Sequence, residues 1–278
     1  MCIRLGRLQF SLRHLLIFTA VVAAVMGYLA TVLRRHETTQ RIKQCVEKFS
    51  GTVTFDTDIS DLDSAEAEKE DLGTPFERSI FGKGLTRRII GINLYHGIPS
   101  PADMALFGEA KGLRFLNLCG INVDDETFAS LHGLLHLEIL NLNGTEVSNK
   151  GAVHFKCFPR LRALCLSQTK ISDSALQVLG SLDHLEMVVL DHTEVTGAEM
   201  PVAPRLPRLR KFNVSGTQWC DVGVERLASL KSLEEIDVSW TMITDEGLRM
   251  LATLPKLRSL SSSFALFSVV CTLSWPPA

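Results

Sequence analysis

Apolar residues recur along this chain in three columns that keep a fixed phase. Leu113, Leu137, Leu161, Leu185, Leu209, Leu233 and Leu257 stand 24 residues apart, and Ile89 fits one step earlier. Three residues after each lies a second apolar position: Ile92, Leu116, Leu140, Leu164, Val188, Phe212, Ile236 and Leu260. Two further on lies a third, running from Leu94 and Leu118 to Val214 and Val238. The alternation of the last two columns predicts a short strand with those residues on one face. The second half of each unit changes period. Leu176, Leu179 and Leu182, or Leu248, Leu251 and Leu254, give a helix its buried stripe. Ser172-Asp173 and Thr244-Asp245 before them read as helix N-caps. A strand-then-helix unit cannot bury both faces alone, so stacking of units must make the core. The unit at Leu185 departs from the rest. Pro201, Pro204 and Pro207 fall in its helical half, where an interior proline costs about 3 kcal/mol. An extended or kinked segment is predicted there.

The ninth position of five units is threonine (Thr145, Thr169, Thr193, Thr217 and Thr241), a column of hydroxyls expected to bond the backbone of neighbouring coils. One unit, from Leu137, reads LEILNLNGTEVSNKGAVHFKCFPR. Its opening L-x-x-L-x-L-x-x-T resembles the leucine-rich repeat. The following T-x-[IV]-[ST]-D-x-G-L, clearest as TMITDEGL from Thr241 to Leu248, resembles ribonuclease-inhibitor-like and cysteine-containing repeats. With the FSLRHLL lead-in to an apolar segment, the whole resembles bacterial membrane-anchored leucine-rich repeat proteins. That resemblance implies an α/β solenoid, a curved parallel sheet with helices on its convex side, behind one N-terminal transmembrane helix. Members of this group share no single reaction.

Leu15 to Leu33 is a run of 19 residues without a charge. As a helix it spans about 28 Å, near the ~30 Å of a bilayer's hydrocarbon core. A cleaved signal peptide is the competing reading. The length of the run, the lack of an A-x-A-like site and the basic Arg34-Arg35 flank favour an anchor. Arg4, Arg7 and Arg13 precede the run and Arg41, Lys43 and Lys48 also follow it, so positive charge on both flanks assigns no side. Beyond it, Ile42, Cys45, Val46 and Phe49 form one apolar helical stripe, and Thr52 to Phe55 alternates like a strand. This helix and strand are expected to cover the first repeat. Asp58 to Asp71 holds seven carboxylates and one lysine and reads as a solvated loop without the spacing of a calcium-binding loop.

The expected organisation is therefore a basic segment (1–14), a transmembrane helix (15–33), a juxtamembrane cap with an acidic loop (34–88), seven repeats plus a partial one (89–260) and an apolar tail (261–278). The tail carries no charge, and its apolar stretch from Phe264 to Trp275 is too short for a second span. It is expected to fold over the last coil as an irregular cap or to stay loose.

Formal net charge is −2, with 29 basic and 31 acidic residues, so no cationic excess marks a nucleic-acid partner. The seven cysteines include no C-x-x-C pair. Cys119 and Cys165 lie two coils apart, about 10 Å, too far for a disulfide. His132 and His136 lack a third metal ligand. Asp191, His192 and Ser215 lie close in the stacking, but Asp and His adjacent in sequence do not set an imidazole between acid and nucleophile. No phosphate-cradling glycine loop occurs. Neither cofactor nor metal is expected, and no enzyme activity.

In the repeat class that the chain resembles, residues between the strand leucines face the concave side, where partners bind. Third positions there include Phe115, Ile139, Met187 and Lys211, fifth positions Asn117, Asn141 and Asn213, and seventh positions Asp191. The apolar patch of Phe115, Ile139 and Met187 beside amides suits a protein or peptide. The asparagines are equally what a polar strand face carries. A binding platform is the leading expectation; an assembly protein joined through an open solenoid end is the alternative, and an enzyme using the repeats for recognition comes last. Inward and outward phases are tested by melting two variants. Leu164→Ala should cost about 2–5 kcal/mol, and Gln168→Ala should stay near ±0.5 kcal/mol.

Overall fold

The computed structural model describes residues 2–5, 8–56, 87–202 and 205–263, with side chains from residue 14 onward. Two compact units emerge: Met1–Ile42 with Phe55–Arg88, and Lys43–Thr54 with Ile89–Ala278. In the first, strands β1 (Cys2–Leu5) and β2 (Leu8–Ser11) pair antiparallel and lead into α1 (Leu12–Lys48), whose last turns belong to the second unit. The 37 residues of α1 make a helix of about 55 Å. It runs unbroken through Leu33, where separate helices were expected to meet. Leu16, Ile17, Phe18, Val21, Val25 and Met26 are exposed along it. Thr19 and Thr31 donate their hydroxyls to the carbonyls of Leu16 and Gly27, both at 2.9 Å, so neither hydroxyl needs water. Among the described residues α1 alone is long and apolar enough to cross a membrane, a property that a signal sequence shares.

The second unit is a stack of strand-and-helix coils. A nine-stranded sheet runs in sequence order from β3 (Thr52–Phe55) at one edge to β11 (Ser259–Ser261) at the other. Between them lie β4 (Ile89–Asn93), β5 (Phe115–Asn117), β6 (Ile139–Asn141), β7 (Ala163–Cys165), β8 (Met187–Val189), β9 (Lys211–Asn213) and β10 (Glu235–Asp237). Strands β4 to β11 are parallel, with Leu116 beside Leu140, Leu140 beside Leu164 and Leu164 beside Val188. Most are only three residues long because only the middle of L-x-x-L-x-L keeps the alternation. The helices are α2 (Pro101–Phe107), α3 (Asp125–Ala129), α4 (Asn149–Ala152, continued by a 3-10 turn), α5 (Asp173–Leu179), α6 (Asp221–Leu227) and α7 (Asp245–Leu251). The three apolar columns are buried between sheet and helices up to Leu257, and Leu260 in the last strand is half-buried.

Two polar columns depart from expectation. The threonine hydroxyls donate within their own coil, to the carbonyl three residues back, at 2.6–2.7 Å. They close the turn after the strand and do not bridge coils. The bridging falls to the residue after the N-cap. Asp125 accepts from Ser148 N–H and Oγ and from Gly151 N–H, and Asn149 exchanges two bonds with Ser172. Asp173 accepts from Thr196 N–H and Oγ1 and Gly197 N–H, and Asp221 from Thr244 N–H and Oγ1. Each carboxylate thus caps the next coil. Ser172 starts α5 without a side-chain cap bond, whereas Thr244 accepts from Glu246 N–H at 3.3 Å.

Between β8 and β9 no helix forms among the described residues. Trp219, fully buried, packs there edge-on against Phe212 with ring centroids 5.3 Å apart. A Cβ on Gly197 (φ +87°) or Gly223 would meet the indole within 2.7 Å, so both positions need glycine. Gly197 has no carboxylate to offer, and Cys220 N–H turns to the Thr196 carbonyl at 3.2 Å. The indole Nε1 of Trp219 has no partner among the described residues.

Opposite β11, the C-terminal turns of α1 rest on the first coil. Val46 and Phe49 are buried, and the Phe49 carbonyl accepts from Tyr95 and His96 N–H. Asp103 accepts from Ser100 N–H at 2.8 Å, Cys45 Sγ at 3.2 Å and Lys48 Nζ at 3.5 Å. Burial, and then the bond and charge of Asp103, push the Cys45 thiol up to about 12. The acidic stretch, residues 75–81 and the tail beyond Ser263 lie outside the described residues. Asp173→Ala strips three donors of their acceptor and should cost about 2 kcal/mol or more. Asp173→Asn, which repeats the Asn149 arrangement, should recover at least half, as read by urea melts.

Candidate functional site

The sheet face turned away from the helices carries the side chains between the buried positions. Parallel register aligns Phe115, Ile139, Ala163, Met187, Lys211 and Glu235 in one row across β5 to β10. Ile139 is 40% exposed, and the rest are half-buried or exposed. The residue before each forms a second row, Arg114, Glu138, Arg162, Glu186, Arg210 and Glu234, continued by Arg258. Sign alternates at every coil, so each charge meets opposites across a strand spacing of about 4.8 Å.

Among the described residues, three ion pairs join this second row. Arg114 holds Glu138 through Nε–Oε1 at 2.8 Å and Nη2–Oε2 at 3.0 Å. Arg210 holds Glu234 in the same two-pronged way, both bonds at 2.9 Å. That hydrogen bond and charge keep the Glu234 carboxyl below the usual carboxylate range and raise Arg210. Arg162 places both Nε and Nη2 on one oxygen of Glu186, Oε1, at 2.9 Å, whereas Arg210 Nη2 meets Glu234 Oε1 at 2.8 Å and also donates to Oε2. Lys211 and Glu235 pair at 3.0 Å in the first row. The two rows line a groove of about 450 Å³ over the five coils from Glu138 to Glu235. This groove is open to solvent and not an enclosed cavity.

Of the residues expected to bind, Ile139, Met187 and Lys211 line this groove, and Phe115 stands beside Ile139 on the next strand. Asn117, Asn141 and Asn213 stand in a separate row at the strand ends. Their Oδ1 atoms accept the N–H two residues on, at 3.0, 3.0 and 2.8 Å, which stops the strand much as an Asx turn does. Asp191 accepts from Ser167 Oγ rather than from Ser215. The ring of His192 lies over Gly216, apart from any acid–base–nucleophile line. Burial, followed by the charges of Asp191 and Cys119, raises the Cys165 thiol. His132 Nδ1 contacts the Ser130 carbonyl at 2.7 Å, and among the described residues no His, Cys, Asp and Glu cluster could hold a metal. The alternating Arg and Glu row is the feature that the strand-face reading missed. Its signal is present in the chain as opposite charges at one repeat position.

A leucine-rich repeat family model matches residues 133–155 and 229–252. Among solved structures, the fold is similar to an internalin C2 from Listeria monocytogenes str. 4b F2365, with 22% identity and a TM-score of 0.54 over 66% of this chain and 74% of that one. It also matches an internalin (inlF) of the same strain at 17% identity and a TM-score of 0.45, over 59% of this chain and 52% of that one. No curated protein matches by sequence. The chain carries leucine-rich repeats, stacked as an α/β solenoid on a parallel sheet. If the asparagine row is structural, Asn141→Ala should cost about 1 kcal/mol, whereas Ile139→Ser should stay within about 0.5 kcal/mol. Denaturant midpoints measure both.

Proposed function

We propose that this protein is a membrane-anchored leucine-rich repeat platform, of the ribonuclease-inhibitor-like type with a 24-residue unit, which binds a protein or peptide on the open sheet face without catalysing a reaction. The observation that carries this reading is the groove, an apolar floor (Ile139, Ala163, Met187) beside a row of mutually paired charges. Paired charges leave little net field, so affinity must come from apolar anchors, as at protein interfaces. A bacterial cell membrane suits the exposed apolar helix Leu15 to Leu33 and the group that the chain resembles. Phe115, Asn117, Asn141, Asp191 and Asn213 would frame the bound surface. Self-association through an open solenoid end is the weaker reading, because it rests on residues 264–278, outside the described ones.

Cross-linking and affinity capture from membranes with the double variant Ile139→Ser, Met187→Ser test the platform. The partner should be lost about tenfold or more, while Val153→Ser, exposed on the helical side, should capture it as well as the unaltered chain does. Equal capture by the double variant would sink the proposal. Full-length chain should stay with membranes through carbonate washing; release by salt alone would overturn the anchor.

A further inference from the structure

The floor of the groove is uneven. Ala163 stands between Ile139 and Met187 in adjacent strands, so a small side chain interrupts a row of large ones. Strand neighbours sit about 4.8 Å apart, and the missing side-chain length at Ala163 leaves a notch one residue wide within the groove. The other small member of the row, Gly91, offers no such space. A Cβ there would lie 3.0 Å from Thr54 and 3.4 Å from the Phe115 ring.

The rim beside the notch is also unlike its neighbours. In the flanking pairs both carboxylate oxygens of Glu138 and Glu234 are held by arginine. Arg162 uses only Oε1 of Glu186, so Oε2 has no bond among the described residues. Glu186 is the most exposed of the three, its side chain 28% accessible against 22% and 19%. A carboxylate oxygen that no arginine holds, open to solvent at the edge of an apolar notch, favours a cationic donor.

We infer that the Ala163 notch and Glu186 form an anchor site for an extended peptide segment of the partner, which inserts one large apolar side chain beside Ala163 and sets a lysine or arginine on Glu186. The inference rests on the proposed binding face and assigns its specificity. Ion pairs already closed at Glu138 and Glu234 offer the incoming cation less than Glu186 does, so one register of the peptide is preferred.

A random peptide library displayed on phage is panned against the full chain in lipid nanodiscs, and recovered sequences are titrated as fluorescent synthetic peptides. They should share a large apolar residue with a nearby lysine or arginine. Ala163→Leu should weaken them about tenfold or more, and Glu186→Gln about fivefold with a flatter salt dependence. Ala163→Met, which copies the neighbouring Met187, is the second variant if Ala163→Leu lowers the melting temperature. Failure to enrich peptides, enrichment without a basic residue, or indifference to the Ala163 changes overturns the anchor site. If Phe115→Ser and Ile139→Ser abolish binding while the Ala163 changes do not, the notch fails and the binding face stands. If none of these changes matters, both fail.

Discussion

A coil of this solenoid cannot satisfy its own strand. Each three-residue strand must trade bonds with both neighbouring coils: Ile139 N–H reaches back to the Arg114 carbonyl, whereas Leu142 N–H reaches forward to Cys165. Buried backbone groups must be paired, so coils stack in a fixed register or not at all. That register sets one residue over its counterpart in the next coil. Every choice made at one position then becomes a column, and a column either reinforces itself or clashes. Leucines stacked on leucines reinforce. Like charges stacked on one another would destabilise each pair, and the Arg–Glu alternation from Arg114 to Arg258 is the arrangement that avoids it at every step. The Asp and Asn residues after the N-caps obey the same rule, since each faces a hydroxyl and N–H groups of the following coil.

The irregular coil between β8 and β9 shows what the register tolerates. Its strand keeps the pairing on both sides, Met187 with Ala163 and with Lys211, while its helical half is replaced. A missing helix would leave a void, and voids cost free energy in proportion to their size. Trp219 occupies that space from the next coil, where other coils hold valine or isoleucine (Val147, Ile171, Val195, Ile243). The indole needs Gly197 and Gly223 on its flanks, and its N–H has no partner among the described residues. The solenoid is thus continuous through its sheet and discontinuous through its helices.

Much of this was readable from spacing. The apolar columns carry phase, and phase decides which residues are inside: Leu116, Leu140 and Leu164 are buried as their positions require. The prolines at 201 and 207 foretold the missing helix, because the ring removes a donor and blocks the turn. Spacing carries no information about which coil receives a polar bond. A threonine hydroxyl is within reach of its own coil's carbonyl and of the next coil, and the shorter path to Leu142 or Val238 wins. The aspartates after the N-caps lie within reach of the following coil's N–H groups, so a residue that reads as a cap for its own helix serves the next one. The charge row escaped for another reason. Equal numbers of opposite charges cancel in any composition or net-charge argument, and only their order, one per coil, reveals them.

That cancellation bears on the binding face itself. Exposed ion pairs contribute little to stability, typically 0–1 kcal/mol, so the row is a weak reason for the fold to hold. Its effect on a partner is larger. A row of one sign would attract any oppositely charged polymer from a distance, whereas paired opposites have fields that die away within a few ångströms. What remains for recognition is the short-range detail of the floor: where a side chain is small, and where a carboxylate oxygen is left over. In this face both occur in adjacent coils, at Ala163 and Glu186.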